Sequence, residues 1–508
     1  MVEKLKSIPL YVILVPVSFV LHGYIQHFGF IQATDAAWLA LIYCAFSECV
    51  FLLSWYIFKK SKKAALMSVA WIGIYLYFGA LHDFLRTYSP FPFLYRYRIM
   101  MPMILVSLVI LFIYLKKTEN KFTRTTLFLN ILFLIYISID TVDALWKSTR
   151  KMEKTLFMNE VYPGGMSLIP DSCLKPDIYL LLFDEYASTL SLKERYNFHN
   201  DIDSFFESSG FSVQKESTSN YNYTPFSMAS TLNMTYLNWP KPERGVNRDD
   251  FLKCNPAILN NTMIKFLVHN GYDIVNLSVF DLAGYPSKLR QSFLPVKTKM
   301  IAEGTMFPRL YKDFESVFIG SELLSALMGE DYFFQHISNN NLLFSDVVKE
   351  SERMHVKPRF IYAHFYLPHE PFFFDEYGKR KNNKTLVQEE INPSATAYLK
   401  YVLYTNTRIK PFIQTIMKNT GRKASIIALS DHGFRFYKPV GVPLWHFQNL
   451  NAVYFPNRNY HLLYDSISNV NEFRVVLNSL FDQQLPLLRD STIYLFDHKY
   501  MHTPPLEK

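Results

Sequence analysis

Pro176-Asp177-Ile178-Tyr179-Leu180-Leu181-Leu182-Phe183-Asp184-Glu185-Tyr186 is a continuous apolar run that stops abruptly at two acids. A short apolar run bounded this way reads as a buried parallel strand. Open α/β sheets gather their chemistry at the carboxyl ends of such strands, which makes Asp184 a candidate metal ligand. Glu185 is secondary, because Asp184 directly follows the run.

Downstream, short apolar runs alternate with longer amphipathic segments. Residues Asp273 to Ser278, Arg359 to Leu367 and Ala424 to Ser430 read as strands, while Leu252 to Asn270 and Ala397 to Lys418 read as helices. This alternation predicts an α/β domain with a mainly parallel central sheet over residues 176–508. The sequence shows no internal repeat and no Gly-rich phosphate loop.

Upstream, apolar stretches long enough to span a bilayer as helices occur at about 9–31, 36–58, 65–85, 99–115 and 125–145. Residues 1–145 therefore read as a membrane domain of five transmembrane helices, and polar residues 146–175, with Pro163-Gly164-Gly165, as a juxtamembrane linker. The first span lacks a small-residue cleavage site and reads as retained. Lys4 and Lys6, the connector Lys59-Lys60-Ser61-Lys62-Lys63 and the segment Lys116 to Arg124 are basic, which assigns them to the cytoplasmic side. Everything after the fifth span is then extracytoplasmic, although residues 86–98 carry Arg86, Arg96 and Arg98 to the same side. Glu48 falls inside the second span and needs a partner or a water-filled cavity there.

Charge follows the same division. Residues 1–155 hold 17 of the 53 Lys+Arg and 8 of the 44 Asp+Glu, which leaves 36 of each for the rest of the chain. A neutral C-terminal part argues against nucleic acid, whose binding domains carry a basic excess. Four cysteines are too few for a disulfide scaffold, though Cys173 and Cys254 could pair in an oxidising compartment.

Three further stretches join Asp184. The strand ending at Ser430 runs directly into Asp431-His432-Gly433. An Asp-His pair is usually a surface turn, but at the end of a buried strand it becomes a candidate metal-ligand pair. In Asn222-Tyr223-Thr224-Pro225-Phe226-Ser227, Thr224 stands at or just before a helix start, with Pro225 in the first turn. By itself it would be a helix cap. Beside a metal held by Asp184, Asp431 and His432, its hydroxyl becomes a candidate nucleophile. The third stretch, Phe360 to Pro371, places His364 and His369 five apart near a strand end. Either could bind an anionic group or protonate a leaving oxygen. His446, in Pro443-Leu444-Trp445-His446-Phe447, follows the Asp-His pair and is a further candidate.

The order of strand-terminal acid, hydroxyl at a helix start, His-containing strand and Asp-His-Gly resembles the alkaline phosphatase and sulfatase superfamily, over roughly residues 176–500. Five spans followed by such a domain resemble the lipoteichoic acid synthases and the lipid A phosphoethanolamine transferases of bacterial envelopes. That resemblance implies that Asp184, Thr224, Asp431 and His432 bind one divalent metal, with Thr224 as the covalently modified nucleophile. It also implies that His364, His369 and His446 contact substrate. The Asp, Asp, His and hydroxyl set favours Zn or Mn over Ca. Sulfatases convert a Cys or Ser in a Cys/Ser-x-Pro-x-Arg motif; here the segment is Thr224-Pro225-Phe226-Ser227-Met228, which points away from sulfate esters. The acid at 184 is Asp where the two transferase families commonly have Glu.

The expected function is metal-dependent transfer of a phosphoethanolamine or phosphoglycerol group from a membrane lipid donor to an envelope glycan or lipid, at the bacterial inner membrane. The alternatives are a membrane-anchored phosphodiesterase, phosphatase or sulfatase-like hydrolase, and a non-catalytic envelope assembly module.

Overall fold

The computed structural model describes residues 2–26, 31, 33–91, 93–149, 166–170, 173–289, 298–310, 331–391, 394–435 and 444–496. The chain divides into two compact units. Residues 298–310, expected within the catalytic domain, group with the N-terminal unit.

The N-terminal unit is helical. Helices Ala33–Phe58, Ser61–Tyr88, Tyr97–Lys117 and Thr123–Thr149 each contain a stretch long and apolar enough to cross a membrane. Tyr11–Gln26 is apolar but has only 16 residues, so four spans rather than the expected five meet the length requirement among the described residues. The last helix runs to Thr149, past the predicted start of the linker, and residues 150–165 of that linker lie outside the described set. Lys63 Nζ donates to the Thr118 carbonyl at 2.6 Å and Lys62 Nζ to Thr123 Oγ1 at 3.2 Å. The two basic connectors therefore lie at the same end of the bundle, as their common charge predicts. At another point in this unit, Gly79 N–H donates to the Gly304 carbonyl at 2.9 Å and Arg309 pairs with Asp83 at 2.6 Å.

The C-terminal unit is built on a six-stranded sheet in the order β2-β6-β5-β1-β4-β3. The strands are β1 Ile178–Phe183, β2 Ser212–Val213, β3 Asp273–Leu277, β4 Arg359–Phe365, β5 Ser425–Leu429 and β6 Asn451–Tyr454. The opening stretch is thus the central strand β1, paired in parallel with β4 and β5, and β3 continues the parallel half. The sheet is mainly parallel, as expected, with one antiparallel edge, because β6 joins β5 antiparallel and the two-residue β2 joins β6 the same way.

Alternation along the strands separates two apolar layers. Tyr179, Leu181 and Phe183 face one side with Ile361, Phe365 and the helix Ala395–Asn419. Ile178, Leu180 and Leu182 face the other, against Met228 and Leu232 of the helix Thr224–Asn233 and Val476 of the helix Asn469–Phe481. Helices on both faces explain why β1 is apolar at every position. The predicted helix 252–270 is two helices, Arg248–Leu259 and Thr262–His269. The break follows from Asn261, whose side chain accepts from Ile264 N–H and caps the second. Cys173 and Cys254, which could have paired, are both free, Cys254 being buried with its thiol on the Asp250 carbonyl.

Glu472 is a fully buried carboxyl on the helix behind the sheet, accepting from Asn451 Nδ2 at 2.7 Å. Burial raises its pKa to about 7. Its folded pKa exceeds its unfolded value, so its contribution to stability is complete below about pH 4.5 and is lost as pH rises through 7. Glu472→Gln keeps the acceptor and removes the charge. We expect the variant to be more stable than wild type at pH 8, by on the order of 2–3 kcal/mol, and equal to it near pH 4.5. Thermal unfolding of both proteins across that range checks this.

Candidate metal and phosphoryl-transfer site

Four buried groups converge beyond the carboxyl ends of β1 and β5. Asp184 extends the β1 ladder by donating its backbone N–H to the Phe365 carbonyl at 3.0 Å, which fixes where its carboxylate emerges. Asp431 and His432 follow β5, their loop held by Ser227 Oγ donating to the Asp431 carbonyl at 2.6 Å and Ser430 Oγ to that of His432 at 2.8 Å. Ligand atoms of Asp184, Asp431 and His432 all lie within 4.8 Å of one another, and all three residues are completely buried.

Thr224 opens the helix Thr224–Asn233, with Tyr223 in the cap position and Pro225 in the first turn. Its hydroxyl is therefore not the cap. Thr224 Oγ1 lies 3.3 Å from His432 Nε2, so the structure brings all four predicted ligands together.

The hydrogen-bond pattern around His432 fixes its tautomer. His432 Nδ1 lies 2.9 Å from the Gly433 carbonyl, which only accepts, so that nitrogen carries the proton. Burial pushes the imidazole well below its usual pKa, leaving it neutral. The lone pair of Nε2 then faces Asp431 Oδ2 at 3.2 Å and Asp184 Oδ1 at 3.8 Å. Both of those carboxylate oxygens are buried without a hydrogen-bond partner. Burial, then repulsion from Asp431 and Glu185, pushes the Asp184 carboxyl well above its usual range. Lone pairs aimed at one point in a dry site favour a bound proton or cation, and the donor set is one that could hold a divalent metal.

Gly433 is required by close approach. A Cβ there would meet the Trp445 carbonyl oxygen and lie 2.6 Å from that of Gln448. Gly433→Ala must displace the Asp-His loop. We expect a loss of about 1–3 kcal/mol in stability and about 10- to 100-fold in turnover, checked by thermal unfolding and steady-state kinetics.

The predicted histidines surround these four groups. His364, on β4, lies 3.2 Å from Asp184 Oδ2 through Nε2 and 3.4 Å from Tyr362 Oη through Nδ1. Burial lowers its pKa to about 4, so it is neutral and orients Asp184. His369 is turned to a second cluster with Glu185, Glu370 and Arg435. His446 is buried in the turn Leu444–His446, its carbonyl accepting from Gly433 N–H at 2.9 Å.

Glu185, Glu370 and Arg435 are the residues that sequence reasoning missed or set aside. Glu185 is completely buried and takes a left-handed backbone conformation at φ 61°. Its N–H donates to Asp431 Oδ1 at 3.0 Å, which leaves Oδ2 turned to His432 Nε2. Burial, then Glu185, pushes the Glu370 carboxyl well above its usual range. The available signal was the second acid after β1 and an Arg two residues past Asp-His-Gly.

Residues 282–473 match the model of the Sulfatase family. That stretch contains Asp431, His432 and the three histidines but begins after Asp184 and Thr224. Among solved structures, the chain is similar to the C-terminal periplasmic domain of EptC from Escherichia coli, at 10% identity over 62% of this chain and 86% of that one, with a TM-score of 0.37. It is also similar to the C-terminal periplasmic domain of the phosphoethanolamine transferase EptC from Campylobacter jejuni, at 12% identity over 62% of this chain and 92% of that one, TM-score 0.36. A third is the phosphonate monoester hydrolase of Agrobacterium radiobacter, at 12% identity over 60% and 73%, TM-score 0.37. No curated protein matches the chain.

Proposed function

We propose that this sulfatase-like enzyme of the alkaline phosphatase superfamily transfers a phosphoethanolamine or phosphoglycerol group from a membrane lipid to an envelope glycan or lipid. The observation that carries this reading is the convergence of Thr224 Oγ1, His432 Nε2 and the unpartnered oxygens of Asp184 and Asp431 on one point. A threonine hydroxyl at that point suits phosphoryl transfer, whereas sulfate ester chemistry in the superfamily uses the converted Cys or Ser that this chain lacks.

Asp184, Asp431, His432 and Thr224 would hold one divalent metal, Zn or Mn by the chemistry of the donors. When bound, the metal supplies Lewis acidity that lowers the pKa of the threonine hydroxyl and offsets charge on the transferring group. Thr224 Oγ1 loses its proton and forms a bond to phosphorus as the bond to the lipid oxygen breaks. The proton released by Thr224 passes to solvent and the freed lipid oxygen takes one up from solvent, leaving diacylglycerol, while His364 holds Asp184 in place. An acceptor hydroxyl then attacks the phosphothreonine, loses its proton, and returns Thr224 to its starting form. The apolar helices keep the enzyme at the membrane that contains its donor, with the catalytic unit in the periplasm or outside the cell.

Lipid products test the reaction class. Purified full-length protein in nanodiscs with phosphatidylethanolamine or phosphatidylglycerol should release diacylglycerol in proportion to acceptor modified. Release of free phosphoalcohol at the same rate without acceptor would make the protein a hydrolase instead.

A further inference from the structure

Arg435 takes no part in the scheme above, yet its side chain reaches three of the segments that form the site. Its Nε donates to Glu185 Oε1 at 3.2 Å, at the end of β1. Its Nη1 donates to the carbonyl of Asn222 at 3.2 Å, two residues before Thr224. Its Nη2 lies 3.2 Å from His369 Nε2. The guanidinium also sits over the Tyr223 ring, 5.3 Å from its centroid. Arg435 itself stands two residues after Gly433, so it ties the Asp-His-Gly loop to the other three.

Each contact constrains a functional group. Asn222 has its side chain anchored in both directions on Leu495, accepting at 2.8 Å and donating at 2.9 Å, so its carbonyl is a fixed acceptor. Holding that carbonyl and the next ring sets where Thr224 enters its helix. His369 Nε2 accepts from the guanidinium, so its proton sits on Nδ1, directed to the Glu370 carbonyl at 2.8 Å. Burial, then Arg435, pushes His369 well below its usual pKa and keeps the ring neutral. Glu185 accepts from both the backbone N–H and Nε of Arg435 while its own N–H holds Asp431.

We infer that Arg435 is a positioning residue for the transfer reaction: it locks the Thr224 segment, His369 and the Asp431 loop into one geometry. This rests on the reading of Thr224 as nucleophile. The planar guanidinium sends three nitrogens to three acceptors in different directions, and a lysine ammonium, one nitrogen on a flexible stem, cannot reproduce that. Three of its five N–H groups are turned to protein acceptors, and through these the effect reaches the Thr224 segment and His369.

Arg435→Lys and Arg435→Ala in the full-length protein test this, assayed on a chromogenic phosphodiester and on the lipid donor. We expect Arg435→Lys to lower kcat about 10- to 100-fold on both, with KM within about 3-fold, bound metal unchanged, and the rate of Thr224 modification slowed by the same factor. Arg435→Ala should lower kcat at least as far. If either variant fails to fold, Tyr223→Leu removes the ring under the guanidinium and should show the same split, about 3- to 10-fold. Wild-type kcat in Arg435→Lys would overturn the inference, as would a loss that simply follows lost metal or lost folded protein. A raised KM with unchanged kcat would place Arg435 on the substrate and also overturn it. Failure of the lipid reaction alone, with the split intact on the chromogenic substrate, would count against the proposed donor and not against Arg435.

Discussion

Asp184→Asn should reduce turnover by about 10³-fold or more and weaken metal binding, while raising the thermal stability of the metal-free protein. The two effects have opposite signs because they come from the same charge. Without a cation, the Asp184 and Asp431 carboxylates are buried against each other with one oxygen apiece unpartnered, which destabilises the fold. Asparagine removes one charge at nearly constant volume and relieves that repulsion. With a cation present, the wild type gains stability by ligand linkage and the variant gains much less. Metal content by mass spectrometry, together with unfolding temperatures before and after chelation, checks both. An Asp184→Asn protein that binds metal like wild type and unfolds no higher after chelation would show that Asp184 is not a ligand.

Thr224→Ala should lower turnover by about 10⁴-fold or more, since removing a nucleophile leaves only binding and electrostatic stabilisation. Its effect on the fold should be small. Thr224 lies in the first turn of its helix and its hydroxyl is not the cap, so alanine keeps the helix start and its burial. Bound metal should fall only modestly, because Asp184, Asp431 and His432 remain. Thr224→Ser, which keeps a hydroxyl, should recover measurable activity. Kinetics of the three proteins with matched metal content decide the matter; full activity in Thr224→Ala would remove the covalent step.

Much of this site was legible before the fold was known, for identifiable reasons. Apolar runs stop where a strand leaves the core, so acids at those stops, Asp184 and Asp431, mark the functional edge of the sheet. The strands β1, β3, β4 and β5 were readable because helices cover both faces and keep them apolar. The antiparallel edge was not, since β2 is two residues long and carries no periodicity. Nor was the network around Arg435, which depends on Glu185 adopting a left-handed backbone and on contacts between residues 66 to 250 apart. The grouping of residues 298–310 with the helical unit rests on close approaches at Gly23 and Gly79, and local pattern does not encode those partners.

The most direct test of the central claim is the mass of the peptide carrying Thr224 after the purified protein meets a phospholipid donor without acceptor. The account predicts an added phosphoethanolamine or phosphoglycerol on Thr224, formed with release of one diacylglycerol and lost when acceptor is supplied. An unmodified Thr224 in protein that is turning over lipid would contradict it.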